Sequence, residues 1–246
     1  MERGHGAIRF LLLQIRNPDD PMAGHEIDCF ARSFGCDRES ITVLDLLRGA
    51  PAARDIDNAD VVLLGGSGDH SVVRGGEWLP AALESMRELY RISKPTFASC
   101  WGFQAMARAL GGQVVTDHSR TEVGTVWLRT TEAGKADPVF APLGDRFQVQ
   151  IGHEDIVTEL PPDAILLASS DRVENQAFRF EGKPIYCTQF HPELDRAGLL
   201  HRLVAYPEYL PFTGFETVEE LGAGTPETHE VEAILPRFIE HAVRTP

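Results

Sequence analysis

Apolar and polar positions follow two different periods along the chain. Short apolar runs of strand length lie at Ala7 to Ile15, Ile41 to Leu46, Asp60 to Leu64 and Pro95 to Ala98, bounded by Gly, Pro and Asp. Between them, helical spacing predicts helices from about His25 to Phe34, from Trp78 to Ile92, and after Cys100 through Ala105, Met106, Ala109 and Leu110. Strands alternating with helices imply a parallel sheet covered by helices. After Gly111-Gly112 the runs shorten, to Gln113–Thr116, Glu122–Arg129, Arg146–Ile151 and Ala164–Ser169. Val173 to Phe180 and Pro184 to Gln189 flank Glu181-Gly182-Lys183, a hairpin signal. The expected fold is therefore α/β: an open, mostly parallel sheet flanked by helices, with an added antiparallel portion in the second half. Residues 1–246 are expected to form one domain, with 206–246 a C-terminal extension. That extension holds an aromatic, Pro- and Gly-rich linker from Tyr206 to Thr225 and a final helix, Glu227 to Arg244, with an apolar stripe.

Composition narrows the class. A chain of 246 residues that is 43% hydrophobic can bury one substantial core. A formal charge of −14 opposes binding to a nucleic-acid backbone, which requires clustered cations. Ala7 to Ile15 is too short to span a bilayer and lacks a cleavage site, so a cytoplasmic protein without membrane contact is expected. The four cysteines, Cys29, Cys36, Cys100 and Cys187, are too widely and irregularly spaced for a disulfide framework or a zinc site. They are expected as free thiols, with no metal and no cofactor.

Candidate chemistry gathers in two places. Pro95 to Ala98 runs into Ser99-Cys100-Trp101-Gly102 and then a helix, a strand-to-helix elbow whose small residues permit a sharp turn. Cys100 at that corner would sit beside the positive end of the helix, which favours a thiolate. A lone cysteine is more often a buried small hydrophobe. Far downstream, His191-Pro192-Glu193 follows a strand-like run, and its proline holds the chain extended. His191 could then reach Cys100 while Glu193 orients the other ring nitrogen. A solvated turn is the bland alternative. The Gly65-Gly66-Ser67-Gly68 loop lacks the lysine and spacing of a phosphate cradle.

In the order Gly65-Gly66-Ser67-Gly68-Asp69, Cys100-Trp101-Gly102-Phe103-Gln104 and His191-Pro192-Glu193, the chain resembles the class-I, triad-type glutamine amidotransferase domain over about positions 40 to 195. The resemblance implies a flavodoxin-like fold and catalytic roles for Cys100, His191 and Glu193. It also implies oxyanion donors in the backbone N–H groups of Gly66 and Trp101, and glutamine contacts near Gly65 and Gln104. Gly152-His153-Glu154-Asp155 is similar to the family's Ser/Asn-His-x-Asp, which makes His153 and Asp155 candidates for the α-amino or α-carboxylate end of the substrate. Ala98 stands where the family has Gly, and Ser67 where it has Pro. The implied activity is that of a glutaminase or amidotransferase working through a γ-glutamyl thioester. The alternatives are a γ-glutamyl peptidase, a catalytically silent binding module, or a related cysteine hydrolase that completes the elbow differently. A separate synthetase subunit is a possible partner, and the oligomeric state stays open.

Overall fold

The computed structural model describes residues 8–243. In chain order the elements are β1 (Phe10–Gln14), α1 (Met22–Phe34), β2 (Ile41–Asp45), α2 (Ala53–Asn58), β3 (Val61–Leu64), α3 (Leu79–Arg91), β4 (Thr96–Ser99) and α4 (Trp101–Ala109). There follow β5 (Gln113–Thr116), β6 (Glu122–Thr130), α5 (Glu132–Ala136), β7 (Arg146–His153), β8 (Asp155–Glu159), β9 (Ala164–Ser169), β10 (Ala177–Phe180) and β11 (Ile185–Thr188). The chain closes with α6 (Arg196–Ala205), a 3-10 segment (Pro207–Thr213), α7 (Val218–Gly224), α8 (His229–Glu232) and α9 (Ile234–Ala242).

Nine strands form one sheet in the order β2-β1-β3-β4-β11-β10-β9-β6-β7, while β5 and β8 pair separately. The first five are mutually parallel and the rest add on antiparallel, as the sequence pattern predicts. The inner strands β1 and β3 read as nearly unbroken apolar runs because both of their faces are covered, whereas the edge strand β2 is only partly buried. In β1, Leu11 and Leu13 pack toward α3 and α4, whereas Phe10 and Leu12 pack toward α1 and α9. The predicted hairpin is present, with Ala177 opposite Thr188 and Arg179 opposite Tyr186, and Gly182 at φ 65° in its turn.

Several elements differ from the sequence pattern. The final helix is interrupted between α8 and α9 because Pro236 has no N–H to offer the Glu232 carbonyl and its ring crowds that turn. The face of α9 is nonetheless core, with Phe238 edge-on to Phe97 and Tyr186. Val173 to Gln176 precedes its strand as irregular chain, and α2, α5, α6, α7 and β8 were not signalled. Ala7 and Arg244, the outer limits of two predicted elements, lie outside the described residues. No helix among the described residues is long and apolar enough to cross a membrane.

Candidate active site

Three neighbouring parallel strands deliver the site. β4 lies between β3 and β11, with Leu64 paired to Ala98 and Thr188 paired to Ser99. The carboxyl ends of these strands therefore bring Gly65-Gly66, Cys100 and His191 to one edge, the usual binding edge of an open α/β sheet. Among the described residues, Cys100 is one of two non-glycine residues at positive φ, with φ 52° and ψ −103°. Such strain persists only where the surroundings impose it. Here the Cys100 N–H donates to Thr188 O (2.8 Å), the Gly102 N–H to Gly65 O (3.1 Å), and the Gln104 N–H to Cys100 O (3.1 Å). Gly102 must be glycine for a packing reason, since a Cβ there would stand 2.4 Å from Leu64 Cβ.

His191 Nδ1 and Glu193 Oε1 are 2.6 Å apart, and the Glu193 side chain is fully buried. Burial pushes the Glu193 carboxyl up, but the His191 contact and the Arg202 charge outweigh it and hold the group below the usual carboxylate value. Burial and Arg202 together hold His191 below its ordinary value, against the pull of Glu193. The imidazole is thus neutral at rest, with Nδ1–H donating to Glu193 and the Nε2 lone pair left for proton transfer. Burial pushes the Cys100 thiol up to about 12, against the opposing pull of Arg202, Arg16 and the Trp101 N–H. This corrects the expected thiolate: at 9% exposure desolvation exceeds what one helix terminus supplies. The thiol lies 3.6 Å from Gly152 O, and among the described residues no hydrogen bond joins it to His191.

Around this pair is a buried ionic network. Glu26 accepts from Gln14 Nε2 (2.9 Å), Arg16 Nε (3.3 Å), Arg16 Nη2 (3.0 Å) and the Gly66 N–H (3.0 Å). Arg16 also donates to Asp20 Oδ2 (2.9 Å) and Tyr206 Oη (2.9 Å). Arg202 Nη1 stands 3.2 Å from His191 Nδ1 and 3.3 Å from its Nε2.

Comparisons place this arrangement. The sequence model of "Glutamine amidotransferase class-I" matches residues 32–198. A subunit of the glutamine-hydrolysing GMP synthase of Methanothermobacter thermautotrophicus is 31% identical over 132 residues, covering 54% of this chain and 69% of that protein. The chain belongs to the class-I glutamine amidotransferases. A glutamine-hydrolysing GMP synthase of Xanthomonas oryzae pv. oryzae is 32% identical over 163 residues, but the match spans 62% of this chain and only 30% of that longer protein. In fold, the chain is similar to a glutamine amidotransferase from Thermotoga maritima, with TM-score 0.76, 20% identity and coverage of 98% and 100% of the two chains. A glutamine amidotransferase from Methylobacillus flagellatus gives TM-score 0.67 at 19% identity, covering 95% and 94%.

Membership and the built elbow make the chain a cysteine-dependent amidohydrolase of the class-I amidotransferase kind. Its motif residues are placed as follows. Cys100, His191, Gly66 and Ser67 line one cleft. Cys100, Trp101, Gln104, His153 and Asp155 line a second. Gly65 and Gly66 are forced to be bare, since a Cβ would stand 2.3 Å from Glu26 Oε1 at the first and 3.0 Å from His191 Cε1 at the second. The Trp101 N–H faces the sulfur.

Four predicted contacts already have partners within the protein. The Gly66 N–H is held by Glu26 and must leave it before it can meet an oxyanion. The His153 side chain is wholly buried against Glu122 Oε2 (3.3 Å), and the Asp155 carboxylate accepts from Ser71 and Thr116. The Asp155 carboxylate thus braces the wall of the cleft, whereas among the described residues His153 Nδ1 is buried without a hydrogen-bond partner. Gln104 Nε2 donates to Asp155 O (2.9 Å) and Gln189 Oε1 (3.1 Å). The aromatic linker borders the cleft through Tyr206 and Tyr209.

Arg16, Glu26 and Arg202 escaped the sequence reading. A signal existed in the stripe of α1, where Met22, Glu26, Cys29 and Phe30 are among the buried positions. An acid at helical spacing among apolar residues must be paired once folded. Arg202 follows the same rule in α6, between Leu199 and Leu203.

Proposed function

We propose that the protein hydrolyses the γ-carboxamide of glutamine through a γ-glutamyl thioester on Cys100. The observation that carries this reading is the strained Cys100 elbow sharing one cleft with the His191–Glu193 pair. In the reaction, His191 Nε2 takes the thiol proton as sulfur attacks the carbonyl carbon of the γ-carboxamide. The oxygen of the resulting adduct is held by the Trp101 N–H and by the Gly66 N–H once released from Glu26. Collapse breaks the C–N bond, and the proton on His191 goes to the departing ammonia. A water then adds to the thioester with His191 as base, releasing glutamate and restoring the thiol, while Glu193 keeps the ring in its working tautomer. The second cleft suits the glutamate head, because Arg74 and Glu154 set opposite charges on its wall.

The relatives, glutamine-hydrolysing GMP synthases and one of their subunits, support a further reading in which the ammonia feeds a separate synthetase subunit. A specific observation also favours γ-glutamyl conjugates as substrates: Val123, Ile151, Leu194 and Leu199 wall the cleft beside Cys100. Ammonia and glutamate release from glutamine by the wild type and by Cys100→Ala tests the main reading. Equimolar products from the wild type alone support it, and equal release by both proteins defeats it.

A further inference from the structure

Tyr209 stands where the two clefts beside Cys100 meet. Ser67, Cys100, Gly152 and Tyr209 line both of them. Tyr209 belongs to the 3-10 segment Pro207–Thr213, beyond residue 198, where the family match ends. Its ring packs against the apolar cluster of Val123, Leu199 and Leu203. That packing holds the ring on the apolar side, while the hydroxyl feels the charges of Glu154 and Arg74 on the wall of the polar cleft.

Three polar groups on that wall are free. The hydroxyl of the neighbouring Tyr206 is committed to Asp20 and Arg16, whereas among the described residues the Tyr209 hydroxyl has no hydrogen-bond partner. Unlike Trp101 Nε1 and His153 Nδ1, it is not sealed off from the cleft either. Burial, with Glu154, Cys100 and Glu208, pushes the phenol above its ordinary value against the pull of Arg74, so the group stays protonated and donates. Arg74 is exposed, and its one hydrogen bond runs from Nη2 to the Asp69 carbonyl (3.2 Å). Among the described residues no carboxylate pairs with it, and no cation pairs with Glu154. His153 and Asp155, by contrast, are held by Glu122 and by Ser71 and Thr116.

We propose that Tyr209 is a specificity-determining residue of the acyl site: its hydroxyl and the Arg74 guanidinium together hold the α-carboxylate of the glutamyl group, and Glu154 holds the α-ammonium. The inference rests on the hydrolase reading above and names the residues that select its substrate. A free amino-acid head brings one anion and one cation to a wall that offers two donors and one carboxylate. Tyr209 suits the task because its ring is fixed by packing, so little rotamer freedom is lost when the hydroxyl engages. The C-terminal segment thereby supplies part of the acyl site, and the two side chains predicted for the head brace the wall behind it.

The test measures kcat and KM for L-glutamine, for glutaramate, which lacks the α-amino group, and for γ-aminobutyramide, which lacks the α-carboxylate. In Tyr209→Phe, kcat/KM for L-glutamine and glutaramate should fall roughly 5- to 30-fold, the size of one hydrogen bond to a charged group, and mostly through KM. γ-Aminobutyramide should stay within about twofold of the wild-type value. Arg74→Gln should repeat this pattern, and because Arg74 is exposed it decides alone should Tyr209→Phe not fold. Glu154→Gln should penalise L-glutamine and γ-aminobutyramide and spare glutaramate. Where an analogue turns over too slowly, its Ki against glutamine takes the place of KM. An equal loss with all three compounds in Tyr209→Phe, as a merely structural role would give, or no loss in either carboxylate-site variant, overturns the assignment and leaves the hydrolase reading standing. Silence of the wild type with all three compounds removes the hydrolase reading together with it.

Discussion

Replacing Gly102 by Ala isolates the geometric demand of the elbow. The added Cβ would stand 2.4 Å from Leu64 Cβ, 3.0 Å from Leu64 O and 3.2 Å from Leu64 C. Two of those atoms are backbone, so no change of rotamer relieves the contact. Restoring a normal carbon–carbon separation of about 3.8 Å requires α4 to move from β3 by roughly 1.4 Å. Overpacking of this kind costs about 1–3 kcal/mol. Alanine in place of glycine within a helix returns about 0.5–1 kcal/mol. Overpacking wins, and urea unfolding should show a net loss of about 1–2 kcal/mol. The same shift pulls the Cys100 turn away from Gly65, whose carbonyl holds the Gly102 N–H. A displacement near 1 Å costs on the order of 100-fold in rate, so kcat for glutamine should fall about that far in a protein that is still folded. A Gly102→Ala protein as stable and as active as wild type would refute this account of the elbow.

Alkylation of Cys100 by iodoacetamide should rise steadily with pH and reach no plateau below about pH 9, because burial holds the thiol near 12; a plateau near neutrality would mean a thiolate at rest. Glu26→Ala strips Arg16 and the Gly66 N–H of a fully buried partner, and denaturant unfolding should record a loss of about 3–5 kcal/mol; a loss below about 1 kcal/mol would show the network to be dispensable. His25 is pushed down to about 4 by burial and by Arg202, so the unfolded chain binds its proton first as pH falls. Its contribution to stability is complete above 6.5 and is lost as pH falls toward 4. His25→Gln should therefore lose less Tm than wild type between those pH values, and an equal or larger loss would contradict the assignment.

The parallel half was legible because its inner strands, β1, β3, β4 and β11, are buried along their whole length, with glycine or cysteine marking the turn after β3 and β4. Leu64-Gly65 and Ser99-Cys100 are the clearest cases. The catalytic order was legible for the same reason, since each motif sits directly after a core strand. The features that escaped were assembled from afar. Glu26 and the Gly66 N–H are 40 positions apart, and the sequence offers no local mark of their bond. Arg202 lies 11 residues beyond His191 on α6, a helix whose weak apolar bias concealed it. The thiol state was misjudged because a helix terminus is visible in a sequence whereas the depth of burial opposing it is not. The split of the last helix was foreseeable from Pro236, which the apolar stripe outweighed.

The central claim is that acyl transfer passes through sulfur at position 100. Wild type mixed with glutamine, quenched in acid during turnover and mapped by peptide mass spectrometry, tests it directly. The predicted result is a γ-glutamyl adduct on the peptide carrying Cys100 and none in Cys100→Ala. Undiminished ammonia release by Cys100→Ala, or an adduct confined to Cys29, Cys36 or Cys187, would contradict it.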